Sequence, residues 1–172
     1  MMALFVQEDS PLRNLTLTLA ALSLSVPALA QGVTQTGAGG VSITSEVQAV
    51  KVVTDAKGNK KNTLVSPTTV LPGTPLVIWI SYKNGGSKAA TNFVINNPVS
   101  KAMEFTGAAE TWALVSVDGG KTFGALGALK AKGADGKMRA AIPQDVTGVR
   151  WTVPQAIAPG AGGKVSFYAV VK

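Results

Sequence analysis

The stretch LVIWISYK, Leu76 to Lys83, decides the fold class, and the turn signal Asn84-Gly85-Gly86 follows it directly. Alternate residues of an extended chain point to opposite faces of a sheet. One face of this stretch carries three aliphatic residues and Tyr82, and the other carries Val77 and Trp79. A short run that is apolar on both faces and ends at a glycine turn is typical of a buried strand. The sequence therefore predicts a central strand here.

Strand patterns recur on both sides of that stretch, separated by turns at a spacing of about ten to fifteen residues. The further candidate strands are Ile43–Thr54 with Thr63–Val65 pairing back, Thr91–Asn96, Trp112–Asp118, the segment around Trp151, and Lys164–Val171. After residue 30 no segment shows a sustained helical period, and strands do not alternate with helices. The sequence thus predicts an all-β fold, an immunoglobulin-like antiparallel β-sandwich of about seven strands.

Composition narrows the chemistry that the chain can perform. The 172 residues include no Cys and no His, so a disulfide framework and the usual zinc and haem ligands are missing. Catalysis through a Cys nucleophile or a His base is excluded for the same reason. The carboxylates after residue 30 are scattered over turns and strand ends, without the paired arrangement that a glycosidase needs. We therefore expect no catalytic residues, no metal and no cofactor, and we interpret the chain as non-enzymatic.

The N-terminal segment has the pattern of an export signal. Leu15 to Pro27 is apolar and uncharged, and Ala28-Leu29-Ala30 supplies a small-residue cleavage pattern. The run is too short to cross a bilayer as a helix, and no second run of spanning length follows. The sequence predicts a signal peptide at 1–30, a flexible Gly-rich leader at 31–40 and the folded domain at 41–172. We expect an exported protein without a transmembrane anchor, located in the periplasm, on the cell surface or outside the cell.

Three successive stretches in the first half of the domain together form one pattern: a Pro-Gly turn before a strand, the strand ending in an Asn-containing turn, and a second strand ending near a proline. They are Val70–Leu76, Ile80–Gly86 and Ala89–Pro98. This pattern resembles the conserved-repeat domain family of bacterial and archaeal surface proteins (domain of unknown function eleven). Asp145–Trp151 and Ile157–Gly160 look like the later part of single-domain exported members of that family.

The resemblance covers roughly Val41 to Lys172. It implies an immunoglobulin-like sandwich with a structural role at the cell surface or outside the cell, and it brings no catalytic residues with it. Family members often carry tandem repeats in long chains. This chain has one copy and no internal repeat, which argues against a long stalk.

The segment Ser116 to Phe123, SVDGGKTF, matches the pattern S-x-D-x-G-x-T followed by an aromatic residue. It resembles the hairpins of sialidase propellers, where the pattern is structural. Asp118 can accept hydrogen bonds from turn amides, and Gly120 permits a positive φ. A propeller needs several copies and this chain has one, so we interpret Asp118, Gly120 and Thr122 as a structural turn clamp.

The charge balance is basic, with 16 Lys and Arg against 9 Asp and Glu and a net charge of +7. Most of the lysines fall in predicted turns. If the fold gathers them at one end, they would form an anion-binding rim; its candidate residues are Lys57, Lys60, Lys61, Lys121, Lys130 and Lys132. The alternative is an ordinary soluble surface whose lysines protect edge strands. Nucleic acid is not an expected partner, since aromatic residues do not interleave with the lysines.

Two further binding sites are weaker alternatives. The turn from Asp55 to Asn62 contains acidic and amide side chains, but it does not match a calcium loop, and its lysines would repel a cation. Of the three tryptophans that could line a sugar site, Trp79 and Trp151 fall within apolar strands, where core packing is expected. Trp112 starts its strand and is the one expected to be exposed.

Three functions follow as hypotheses. The first is a structural or adhesive module of the bacterial envelope or extracellular space, whose partners would be other envelope proteins, anionic glycans or lipid headgroups. The second is a subunit of a surface filament, in which the segment from Gln31 to Thr54 adds to the sheet edge of another copy. The third is a glycan-binding or calcium-dependent binding domain.

Overall fold

The computed structural model describes residues 34–36, 40–67 and 69–172. The predicted signal peptide and most of the predicted leader lie outside this range. The described residues form eleven strands and two short 3₁₀ turns, and none of them lies in an α-helix. The predicted all-β fold is thereby confirmed.

The strand bounds follow the predicted pattern closely in the first half of the chain. In chain order the strands are β1 (Thr34–Thr36), β2 (Val41–Thr54), β3 (Lys60–Val65), β4 (Pro75–Asn84), β5 (Val94–Pro98), β6 (Met103–Ala108), β7 (Leu114–Ser116), β8 (Lys130–Lys132), β9 (Met138–Ala140), β10 (Gly148–Thr152) and β11 (Gly162–Val171). The two 3₁₀ turns are Leu126–Ala128 and Pro143–Asp145.

The strands form two main antiparallel sheets. The large sheet has the order β1-β2-β4-β11-β6, with β3 also paired to β2. The small sheet has the order β5-β10-β7, and β8 and β9 form a separate two-stranded ribbon. β4 pairs with β2 on one edge and with β11 on the other, so the central strand predicted around Trp79 is confirmed.

The core lies between the inner faces of the two sheets. The largest fully buried apolar side chains there are Leu76, Ile80, Val165 and Phe167 from the large sheet and Ile95, Val149 and Trp151 from the small one. Each such side chain stabilises the fold by about 1.5 to 3 kcal/mol on leaving water. Val165, Phe167 and Ala169 of β11 alternate inward as the sequence pattern predicts.

The antiparallel β-sandwich is confirmed, but its strand order is distinctive. Seven of the strands have five residues or more, and four others have three. In an immunoglobulin constant-type domain the last two strands lie in one sheet. Here β10 belongs to the small sheet and β11 to the large one, so the immunoglobulin-like topology is not confirmed.

β2 extends past the end of the large sheet. Ala49 opposite Leu76 is the last pair between β2 and β4, and beyond it β2 pairs with β3 alone among the described strands. All residues from 51 to 64 are exposed. The end of β2 and β3 therefore form a two-stranded ribbon that projects from the sandwich; we call residues 50–64 the projecting ribbon.

Part of the predicted flexible leader is a strand in this structure. β1 pairs with Ser42–Thr44, on the same edge of β2 that β3 occupies further along. Gly40, which directly precedes β2, has φ of 81°, a conformation that glycine adopts without strain.

Glu110 connects the two sheets at the edge where β6 ends. Its Oε2 accepts a hydrogen bond from Trp151 Nε1 of the small sheet at 3.0 Å and one from the Ser166 backbone N of the large sheet at 3.1 Å. Trp151 is fully buried, so its indole N–H needs an acceptor inside the protein. Glu110 supplies that acceptor and holds both sheets to one carboxylate.

We expect Glu110→Ala to destabilise the fold by about 1 to 3 kcal/mol, because the buried indole N–H would lose its acceptor. Urea unfolding should show a lower midpoint with an unchanged m-value. Glu46→Ala is the matched control, since Glu46 is exposed and bonds only to the neighbouring Gln48 side chain. Equal midpoints for the two variants would contradict the role of Glu110.

Candidate functional site

Asp118 closes the tight turn that follows β7. Its Oδ1 accepts hydrogen bonds from Ser116 Oγ at 2.7 Å and from the backbone N of Lys121 and Thr122 at 3.0 Å each. Its Oδ2 accepts one from Thr122 Oγ1 at 2.6 Å. These bonds, from the Thr122 side chain foremost, then from its backbone N and from Ser116, hold the pKa of Asp118 far below its ordinary value.

The two glycines of the turn adopt left-handed conformations. Gly119 has φ of 77° and Gly120 has φ of 88°, which other residues adopt only with strain. Gly120 N donates to Ser116 Oγ at 2.8 Å, and Gly119 N donates to Thr147 Oγ1 at 3.0 Å. The turn is thus fixed both internally and against the segment that leads into β10.

This turn positions Phe123 on the outer face of the small sheet. The ring lies near Gly148 of β10, where a Cβ would stand 3.9 Å from its Cε1 atom. The guanidinium of Arg150 lies over the ring, with Cζ 3.7 Å from the ring centroid. This is a cation–π contact at a distance where the attraction is strong.

Arg150 is also held by the neighbouring strand. Arg150 and Asn96 are directly opposite in the pairing of β10 with β5, and Arg150 Nε donates to Asn96 Oδ1 at 2.7 Å. Among the described residues, no acceptor is recorded for the two terminal guanidinium nitrogens. The side chain is therefore oriented by two contacts while its strongest bidentate donors stay available.

A cleft of about 220 Å³ lies beside this pair. Its lining residues are Asn96, Asn97, Pro98, Gly119, Gly120, Phe123, Thr147, Gly148 and Arg150. The lining contains one cation and no carboxylate, and much of it is aromatic ring, proline ring and glycine backbone. Such a cleft can accept a small anion that also has an apolar surface.

The sequence patterns do not identify this cleft. Phe123 is part of the turn motif, and Arg150 lies in a predicted strand, but neither carries a predicted role. Their contact joins residues that are far apart in sequence, and no local pattern encodes it. Alternation in β10 is the available signal, because Val149 and Trp151 face inward and leave Arg150 outside.

The six lysines of the predicted rim fall on three separate elements. Lys57, Lys60 and Lys61 lie on the projecting ribbon, Lys121 lies in the Asp118 turn, and Lys130 and Lys132 lie on β8. Lys60 and Lys61 are opposite Thr54 and Val53, so they point to opposite faces of the ribbon. One continuous rim stays a prediction.

The carboxylate of Asp55 stabilises the turn at the tip of the ribbon. Asp55 Oδ1 accepts from the backbone N of Lys57 at 2.8 Å and of Asn59 at 2.9 Å, and Oδ2 accepts from Asn59 Nδ2 at 3.1 Å. The bonds from Asn59 lower the pKa of Asp55. Within the described residues no group of three or more His, Cys, Asp or Glu side chains could hold a metal ion.

The tryptophans differ from the prediction at one position. Trp151 is fully buried and Trp112 is 38% exposed, as expected. Trp79 is only half-buried, since it lies on the face of β4 opposite to that of the core residues Leu76 and Ile80. Its Nε1 donates to Gln48 Oε1 at 3.1 Å, and the Lys164 ammonium lies 5.9 Å from its ring centroid.

Comparisons of the chain with protein-family models, with curated proteins and with solved structures find no match. The resemblance to the conserved-repeat domain family therefore stays a prediction. No helix in the described part of the chain has the length and apolar character needed to cross a membrane.

We expect Asp118→Asn to lower the melting temperature at pH 7 by several degrees, because an amide nitrogen cannot accept the bonds that a carboxylate oxygen accepts. The folded pKa lies below that of the unfolded chain, so the stabilisation is present above the unfolded pKa and is lost as the pH falls. The gap between the melting temperatures of variant and wild type should therefore begin to narrow below about pH 4, and it should close only below the much lower pKa of the folded state.

Thermal unfolding followed by circular dichroism checks this pH dependence. Asp135→Asn is the matched control, because Asp135 accepts one bond, from Lys137 N, in another exposed turn. A gap between wild type and Asp118→Asn that is as wide at pH 3 as at pH 7 would show that the charge of the clamp contributes nothing.

Proposed function

We propose that this chain is an exported, non-enzymatic adhesive module of the bacterial envelope, and that it attaches to anionic lipid headgroups through the projecting ribbon. The observation that carries the proposal is the combination of exposed apolar side chains and lysines on a part of the chain whose two strands pair only with each other among the described residues. The fully used carboxylates of Asp55 and Asp118 support a non-enzymatic role.

The ribbon exposes side chains that a sandwich normally buries. Val52 is 57% exposed, Val53 is 45% exposed and Leu64 is 43% exposed. Val50 lies directly opposite Leu64, so these two and Val52 share one face, and Val53 lies on the other. An isolated two-stranded ribbon is marginally stable in water, and shielding these side chains would stabilise it.

The charge on the ribbon determines which kind of surface could cover its exposed apolar side chains. The ribbon carries four lysines, Lys51, Lys57, Lys60 and Lys61, and one carboxylate, Asp55. Asp55 is hydrogen-bonded within the turn. Each lysine near an anionic bilayer contributes about 1 kcal/mol of attraction. Apolar side chains flanked by lysines are the pattern that binds at the headgroup and acyl boundary.

The purified protein should sediment with vesicles that contain phosphatidylglycerol and not with vesicles of phosphatidylcholine alone, and added salt should weaken the binding. The double variant Lys60→Gln and Lys61→Gln should lower the partition coefficient by about tenfold or more. Val52→Ser should also lower it, although the charge is unchanged.

The matched control is the double variant Lys83→Gln and Lys88→Gln, which removes the same charge at the other end of β4. If both double variants weaken the binding equally, net charge alone is responsible and the ribbon has no special role. Equal binding to both kinds of vesicle, or to neither, would also contradict the proposal.

A second candidate function is that of a filament subunit that assembles by N-terminal strand exchange. It is favoured by β1, a three-residue strand held at the edge of β2 by pairing with Ser42–Thr44. So short a strand can leave its own sheet at little cost and pair with the same edge of another copy.

Light scattering across a concentration series tests this second candidate. If the protein assembles in this way, its molar mass should rise with concentration for the intact chain and stay at that of the monomer after deletion of residues 31–40. A monomer at every concentration, or growth that persists after the deletion, would contradict strand exchange through β1.

A further inference from the structure

Arg150 is arranged on the outer face of the small sheet as a binding group. Stacking on Phe123 at 3.7 Å and the bond from Nε to Asn96 Oδ1 at 2.7 Å fix the plane of the guanidinium. An arginine held in this way loses little further side-chain freedom when it binds a ligand. The two terminal nitrogens, with no recorded acceptor among the described residues, present a flat edge that matches a carboxylate.

The surroundings of Arg150 favour an anion. No carboxylate lines the cleft, and Lys121 lies in the adjoining turn. The nearest acidic side chain in that turn, Asp118, already accepts hydrogen bonds at both oxygens from within the turn. Asp118 is also not among the residues that line the cleft.

The rest of the lining favours an anion with a carbon skeleton. Phe123, Pro98 and the backbone of Gly119, Gly120 and Gly148 present mainly apolar surface. A small hydrated ion gains nothing from such a surface, whereas the C–H face of a sugar ring can pack on it. The volume of about 220 Å³ suits a single ring and is small for a larger ligand.

We propose that this cleft binds a carboxylated sugar, such as one uronic acid residue of an acidic polysaccharide. The carboxylate would accept two parallel hydrogen bonds from the terminal nitrogens of Arg150, and the ring would lie against Pro98 and the glycine turn.

This site differs from the one in the proposed function. The cleft belongs to the small sheet and the Asp118 turn, whereas the lipid-binding ribbon extends from the large sheet. The two can fail separately, because ribbon variants leave Arg150 in place and cleft variants leave the ribbon lysines in place. An acidic polysaccharide and a membrane surface are both reachable for an exported protein.

The probe is the trimer of galacturonic acid, titrated into the purified protein and followed by the backbone amide signals of Gly119 and Gly120 in NMR. The fully methyl-esterified trimer is the matched ligand control, since it keeps the sugar rings and lacks the charge. We expect a dissociation constant of about 0.1 to 10 mM for the acid and no saturable shifts for the ester or for inorganic phosphate at the same concentration.

Arg150→Gln should weaken binding of the acid by about tenfold or more, since the bonds to a charged group are lost. Arg150→Lys should also weaken it, because a lysine keeps the charge but cannot form the two parallel bonds. Lys164→Gln is the protein control, with the same loss of charge next to Trp79 on the outer face of the large sheet, and it should bind like the wild type.

Each remaining outcome would overturn the proposal. Equal shifts with the ester would show that the carboxylate of the sugar is not recognised. Phosphate binding as tight as that of the trimer would show that the cleft binds any small anion. Unchanged affinity of the Arg150→Lys variant would show that a positive charge is sufficient and that the two parallel hydrogen bonds of arginine are not needed. If Arg150→Gln unfolds, Phe123→Leu takes its place, and unchanged binding in a folded Phe123→Leu variant would place the ligand elsewhere.

Discussion

Trp151 packs on Phe167 across the interface between the sheets, with ring centroids 6.3 Å apart, and both side chains are fully buried. Phe105 stacks on the other side of this pair, also at 6.3 Å from Phe167. The contact fixes which face of β10 is turned inward. Because residues alternate along a strand, the inward position of Trp151 places Arg150 on the outer face. The binding cleft is thus a direct consequence of the core contact.

The same dependence extends to the turn beside the cleft. Ser116, the last residue of β7, lies opposite Gly148 at the start of β10 and is fully buried. Its hydroxyl donates to Asp118 and accepts from Gly120, so the pairing of two strands determines where the turn begins. Phe123 follows this turn and reaches Arg150. The pairing of β7 with β10 therefore holds the hydrogen-bonded turn of Asp118 next to Arg150, although Arg150 is distant in sequence.

Sequence patterns predict the local parts of this arrangement and miss the distant ones. The central position of β4, the inward face of β11 and the turn residues Asp118 and Thr122 all follow from residues within a few positions of one another. The place of β11 between β4 and β6 depends on long-range pairing, and so does the contact between Phe123 and Arg150. Trp79 shows the same limit, because an apolar strand pattern does not reveal which of its two faces packs in the core.

On the proposed function, the lysines of the projecting ribbon act both against self-association and toward attachment. Its two strands have open edges beyond Ala49, and open edges invite pairing with other copies. Lysines on both faces oppose that association, because two basic ribbons repel each other. The same lysines do not oppose an anionic partner, and there the exposed valines add apolar contact to the attraction. On the proposed function, charge on the ribbon therefore opposes the pairing of two ribbons and favours a surface of opposite sign.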